Sequence, residues 1–109
     1  MSELNATLCS IIEEAGVNVL TLTEGLEEDE FLSSRLTRAE VEHQVDVMAG
    51  ILFELSTRTR SAMVELDWDG WAGVTRQLKL EGGDAALWFA VRSLVPATLM
   101  WLRVYRRNL

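Results

Sequence analysis

His43 and Cys9 are the one histidine and the one cysteine of the chain, and they frame the chemistry it can perform. A histidine exchanges protons near neutral pH, and a cysteine beside it can become a nucleophile. The pair is conceivable, but neither an orienting acid nor an oxyanion hole accompanies it. Cys9 sits beside an apolar stripe, where thiols are buried and inert. His43 lies between Glu42 and Gln44, which suits a surface or interface histidine bonded to a carboxylate. With one of each residue, a zinc site of the Cys/His type cannot form within the chain. The acidic run Glu27 to Glu30 has adjacent carboxylates that point apart and no second ligand cluster. It reads as a solvated turn or the first turn of a short helix. No metal and no cofactor are expected. Gly82-Gly83 is too short for a phosphate loop and lacks its lysine. Trp68, Trp71, Trp88 and Trp101 resemble a base-stacking set, but at helical spacing in a small bundle such residues form core. Arg103, Arg106 and Arg107 offer a local basic patch, or offset the negative end of a last helix dipole.

The elements that must carry these residues read as helices throughout. Leu4, Leu8, Ile11, Ile12, Ala15, Val19 and Leu22 repeat at helical spacing and give a first helix one apolar stripe. Thr37-Arg38-Ala39-Glu40 has the form of a capping box at the start of a second helix. Val41, Val45, Met48, Leu52 and Leu55 form its buried stripe, with Val47, Ile51 and Phe53 off it. The stretch from Arg58 to Leu66 is a short irregular or helical connection. Asp67 is a candidate cap for a third helix from about Trp68 to Glu81, with Trp68, Trp71, Val74 (or Thr75) and Leu78 inward. Gly82-Gly83-Asp84 reads as a stop followed by a new N-cap. A last helix from about Ala85 to Arg107 is apolar almost all round, which places it at the centre of a fold or at a subunit interface. A dimer interface through Trp101, Leu102 and Tyr105 is expected, and Pro96 should kink this helix. No alternating strand pattern accompanies these segments. The expected fold is an all-α, small antiparallel helical bundle of about four to five helices, one domain over residues 1–109.

Charge is divided along the chain. Residues 1–54 hold 12 acidic and 2 basic side chains, residues 55–109 hold 5 and 8, and the net charge is −7. Such a chain does not attract a polyanion through its overall field. Met1 to Leu22 has no basic leader region, and Ala85 to Leu102, interrupted by Arg92 and Pro96, is expected to fall short of a membrane span. One cysteine and four methionines suit a reducing compartment. A cytoplasmic protein without a membrane partner is expected.

Read in order, the residues resemble the HepT-like branch of the HEPN superfamily. Glu24-Gly25-Leu26-Glu27-Glu28-Asp29-Glu30-Phe31-Leu32 resembles the family's acidic linker. Leu36-Thr37-Arg38-Ala39-Glu40-Val41 is similar to the start of its second long helix. Trp68 followed by Gly73 resembles its "W…G" approach to the active motif, and Gly83-Asp84, Trp88 and Val95-Pro96 resemble the pattern of its last helix. The match covers about residues 5–105. It implies a dimeric α-helical bundle with a metal-independent ribonuclease site at the dimer interface, working as the toxin of a toxin–antitoxin pair. A minimal nucleotidyltransferase is the implied antitoxin partner, in some members adding AMP to a motif tyrosine. The implied motif is an arginine, four to six other residues, a histidine, and often a tyrosine two positions on. Histidine supplies the proton acceptor for the ribose hydroxyl, and arginine the cation on the phosphate.

The sequence departs from that motif where it should lie, in Gly73 to Gly82. Counted without gaps, the arginine position is Thr75, the next residue is Arg76, the histidine is Leu80 and the tyrosine is Gly82. Slid by one, Arg76 becomes the arginine and Glu81 stands where histidine belongs. A carboxylate with an ordinary pKa of roughly 4.3 is a weak base at neutrality. The leading reading is therefore a catalytically impaired HepT-like homodimer that binds a nucleotidyltransferase, a related active subunit or RNA. The alternatives are a working ribonuclease using Arg76 with Glu81, or His43 brought in from another helix, and a purely structural interaction bundle.

Overall fold

The computed structural model describes residues 3–80 and 82–107. All the regular structure there is helical: α1 Glu3–Thr23, α2 Glu28–Ser33, α3 Arg35–Glu54, α4 Thr57–Ala62, α5 Trp68–Leu78, α6 Asp84–Phe89 and α7 Val95–Arg107, with a π-helical turn at Ala90–Leu94 joining the last two. The all-α expectation holds for these residues.

Polar ties between distant segments fix the directions of the long helices. Asn5, near the start of α1, donates to Thr59 Oγ1 at 2.7 Å and to Ser56 Oγ at 3.4 Å, both just beyond the end of α3, so α1 and α3 run antiparallel. Arg106, at the end of α7, reaches Glu13 at 2.9 Å and Ser10 at 3.0 Å in the first half of α1. Arg92 donates to the Leu26 carbonyl just after α1 at 2.8 Å, so the last helix also runs antiparallel to α1. At the other side, Arg38 near the start of α3 donates through Nε to Asp84 at 2.8 Å and through Nη1 to Glu42 at 3.1 Å.

Within this frame one core is shared by the long helices. Cys9, Ile12, Ala15 and Val19 of α1 face Val41, Val45, Met48 and Leu52 of α3, closed by Leu87, Val91, Val95, Leu99 and Leu102 of the last helix. The α3 stripe is as its periodicity predicts. The α1 stripe is turned slightly from the expected one: Cys9 is buried, Leu8 and Leu22 are half-buried and Ile11 is exposed. The side chain of Leu4 lies outside the described residues. Gly16 allows the close pass of α1 over the last helix, since a Cβ there would meet the Leu99 side chain at 2.7 Å. The tryptophans are structural, as their spacing suggests. Trp71 is fully buried, its indole N–H donating to Thr98 Oγ1 at 3.0 Å. Trp88 packs on Phe31 with ring centroids 5.4 Å apart and lies beneath the Arg92 guanidinium at 4.5 Å.

Helix starts depart from the expected chemistry at two places. α3 begins at Arg35, after Ser34, which also ends α2. Thr37 therefore lies inside the first turn, where its hydroxyl accepts from Ser34 Oγ at 2.9 Å, and the expected Thr37–Glu40 capping box does not form. A reciprocal contact of that kind occurs at α2 instead, where the Glu27 N–H donates to Glu30 Oε1 at 3.0 Å. The second departure is Gly83, which precedes α6 while Asp84 enters its first turn and pairs with Arg38. Asp67 caps α5 as predicted, its carboxylate accepting from the Gly70 N–H at 2.8 Å. Asp67→Ala should therefore lower stability by about 1 kcal/mol, the usual loss on removing a cap. Thr37→Ala should cost clearly less, and paired thermal melts of the two variants check this.

Pro96 acts on the last helix through the turn before it. Proline cannot donate to the Arg92 carbonyl, and just upstream the Val95 N–H bonds the Ala90 carbonyl, five residues back. The wider turn also keeps the buried face in phase. Leu87, Val91, Val95 and Leu99 are four residues apart and all buried, a spacing that drifts by about 40° per step on a regular α-helix. Asp84 to Arg107 is continuous and, by length and composition alone, long and apolar enough to cross a membrane. That corrects the expectation that Arg92 and Pro96 break the stretch. Its inner face is nevertheless taken up by the core.

Candidate functional site

The segment that should carry the ribonuclease motif runs from the last turns of α5 into the turn before α6. α5 is held at its start by the Asp67 cap and by Trp68, whose indole N–H donates to the Met63 carbonyl at 3.0 Å. Trp71 and Val74 anchor its inner face. Thr75, at the ungapped arginine position, is half-buried and donates its hydroxyl to the Trp71 carbonyl at 2.8 Å, so that position serves the helix itself. Arg76 is exposed in the last turn. Leu80, at the histidine position, is 61% exposed. α5 ends at Leu78, earlier than expected, and Glu81 lies outside the described residues. Gly82 has φ +83°, a left-handed conformation that suits glycine and no tyrosine. Gly83 then folds tightly back on α5: a Cβ there would meet the Gln77 carbonyl oxygen at 2.9 Å.

Beside this segment a surface hollow of about 270 Å³ opens between α5 and α6, walled by Val74, Arg76, Gln77, Ala86 and Phe89 over Gly70 and Gly73. Among the described residues it offers one guanidinium, one amide and no histidine.

The remaining candidates stand apart from the hollow. His43 is exposed on α3, is not among the residues lining it, and does not meet Cys9, which is fully buried on α1. Burial pushes the Cys9 thiol above its ordinary range, with Arg106 opposing more weakly, which keeps it protonated and unreactive. Among the described residues no group of His, Cys, Asp and Glu side chains is placed to hold a metal ion.

The expected dimer-interface residues are also placed differently. Leu102 is 0% exposed inside the chain's own core and has no surface to give a second copy. Trp101 and Tyr105 are half-buried and stack on each other, centroids 6.1 Å apart. The Tyr105 hydroxyl donates to the Glu65 carboxylate and accepts from the Glu65 N–H at 3.3 Å. The outward apolar surface of α7 is instead Met100 and Val104, which with Leu20 of α1, Pro96, Arg103 and Arg107 line a groove of about 490 Å³. It adjoins a second hollow to which Val17 contributes.

Burial first, and then the bond to Glu65, push the Tyr105 phenol up to about 12 from its ordinary 10. A phenol with a raised folded-state pKa stabilises the fold while neutral. That contribution is complete below pH 10 and is lost as pH climbs from 10 to 12. Thermal melts across this window should show an alkaline fall in stability that Tyr105→Phe reduces.

No protein-family model, no curated protein and no solved structure matches this chain. Three arrangements were not legible in the sequence: the Arg38–Asp84 tie, the Tyr105–Glu65 pair, and the stacking of Arg60 between Phe53 and Trp68. Each joins residues from different elements.

Proposed function

We propose that this chain is a HepT-like binding subunit of a HEPN/nucleotidyltransferase toxin–antitoxin lineage that has lost ribonuclease chemistry and acts by association. The observation that carries the proposal is the hollow beside the motif segment. Among the described residues it presents Arg76 and Gln77 without a proton acceptor, Leu80 faces solvent, and the Thr75 hydroxyl is spent on its own helix. Binding of phosphate or of a partner through Arg76 survives such a change, but base-catalysed cleavage does not. Incubation of the purified protein with total RNA tests this reading, and intact RNA is the expected result.

The association surface in this reading is the groove between α1 and α7. Its apolar floor is Leu20, Pro96, Met100 and Val104, and its rim carries Arg103 and Arg107. The same chain exposes the acidic residues Glu27, Glu28, Asp29 and Glu30, so a second copy supplies complementary charge. A nucleotidyltransferase, a related active subunit or RNA then has the α5–α6 hollow available. In this reading wild-type protein sediments at twice the 12.3 kDa chain mass. Met100→Glu should return it to single-chain mass with its helicity intact, because a charge on an apolar contact loses its hydration without gaining a partner. A well-behaved wild-type monomer at micromolar concentration would remove self-association from the proposal.

A further inference from the structure

Gly50 lies inside α3, in the turn before its end at Glu54, where glycine is the least favourable residue after proline. Nothing within the chain requires it there. Its φ is not positive, and a Cβ built on it would have nothing within 4 Å. A Cβ on Gly16 or Gly83, by contrast, would strike the Leu99 side chain or the Gln77 carbonyl. The missing side chain at Gly50 leaves bare backbone on the outside of α3, open to close approach by another molecule.

Gly50 belongs to a row that faces away from the core. Leu36, Glu40, His43, Val47, Gly50 and Glu54 follow one another at three or four residues along α3. Val47 is half-buried and the other five are exposed, Leu36 at 84%. The face is acidic and unneutralised. Glu40 and Glu54 on the row, and the exposed Asp46 beside it, form no ion pair among the described residues. No lysine or arginine stands between Arg38 and Arg58, and Arg38 is committed to Asp84 and Glu42.

We propose that this face of α3 docks a basic amphipathic helix of a partner protein. The partner helix lies along the row, its backbone closest at Gly50 and its apolar side on Val47 and Leu36. Its lysines or arginines meet Glu40, Asp46 and Glu54. Side chains three and four residues apart form the ridges by which helices interlock, and a gap in a ridge lets a second axis come near. An extended segment presents side chains every second residue and does not match that spacing. Charge selects the occupant. An acidic face repels nucleic acid and anionic lipid alike, and a second copy on the same face would set like charges opposite each other. The surface is separate from the α5–α6 hollow and from the α1–α7 groove, and its existence does not depend on the HepT-like reading.

The test is titration of the full chain with a synthetic peptide, following backbone amides by proton–nitrogen NMR. The probe is a helix of leucine and lysine segregated to opposite sides, about 18 residues long to span the row at 1.5 Å per residue. Controls are the same composition in shuffled order and a leucine–glutamate counterpart. The segregated leucine–lysine peptide should bind saturably and one to one, with shifts gathered at Val47, Gly50 and Glu54. The shuffled peptide should bind at least tenfold more weakly, and the acidic one not at all. Gly50→Lys should raise the melting temperature, because it replaces a poor helix former and places a cation four residues from both Asp46 and Glu54. The same change should weaken the peptide at least tenfold, by bulk and by charge. A role confined to the fold would not move stability and binding in opposite directions. Asp46→Asn with Glu54→Gln should lower the affinity several-fold and flatten its dependence on salt. The proposal is overturned by equal binding of the shuffled peptide, by shifts gathered away from the α3 row, or by affinity unchanged in folded Gly50→Lys. It is overturned equally by shifts along the row that follow protein concentration alone, which would mean that a second copy covers it.

Discussion

Incubated with total RNA at neutral pH and without added metal, the purified protein is expected to leave the RNA intact, and its expression in a bacterial host to leave growth unaffected. Cleavage through the ribose hydroxyl needs a group that takes up a proton near pH 7 and returns it to the leaving oxygen. Loss of such a group costs on the order of 100- to 10,000-fold in rate. In the described part of the motif segment the aligned positions are held by Thr75, Leu80 and Gly82, and the hollow beside them holds Arg76 and Gln77. His43 is on α3, exposed and not among the lining residues of that hollow. If RNA is cut, two substitutions separate the causes. Cleavage abolished by His43→Ala alone means that a base has moved to another helix. Cleavage abolished by Glu81→Ala means that a carboxylate has replaced histidine in the slid register. Loss with Arg76→Ala as well, in the same clean preparation, would sink the impaired-enzyme reading.

Leu102→Glu is expected to unfold the protein and not merely to dissociate a dimer. Leu102 is 0% exposed in a core shared with α1 and α3. The surrounding core is apolar and the cation one turn along, Arg106, is already paired with Glu13, and burying a charge in such a place costs several kcal/mol. Since a domain of this kind has only about 5–15 kcal/mol of total stability, the change removes a large part of it. Leu102→Met keeps volume and polarity nearly constant and should cost less than about 1.5 kcal/mol. Far-ultraviolet dichroism melts of both variants beside wild type check the contrast. A folded, cooperative Leu102→Glu monomer would mean that Leu102 faces a partner after all, as the sequence suggests.

That contrast also shows how far a single sequence could be read. Val41, Val45, Met48, Leu52 and Leu55 were legible because they make one unbroken apolar row at helical spacing, which Val47, Ile51 and Phe53 lie beside without continuing. Asp67 was legible because cap chemistry is local. The last helix is apolar almost all round, and there periodicity identifies a helix without saying which face is inward. Hence Leu102 looked like interface and is core, while Met100 and Val104 take the surface. Thr37-x-x-Glu40 matched a cap pattern, but Ser34 already closes α2 and opens α3, and no spacing rule anticipates two helices meeting at one residue. In the candidate site, the absence of histidine and tyrosine could be read directly. That Thr75 bonds its own helix, and that Arg60 is clamped by rings from α3 and α5, depends on packing between segments far apart in sequence.

The π-helical turn at Ala90–Leu94 bears on how the gene can change length. A turn closed over five residues carries one more than a regular turn needs, so the helix stores a surplus residue at one known place. Loss of a single codon there can be absorbed by tightening to an ordinary turn, which leaves Leu87 before it and Leu99 and Leu102 after it still pointing into the core. The same deletion one turn further on, past Pro96, has no slack to draw on. It rotates everything downstream by about 100°, exchanging Leu102 for a neighbour and swinging Arg106 away from Glu13. Insertions and deletions in descendants of this sequence should accordingly gather at Ala90–Leu94 and be purged from the helix on either side.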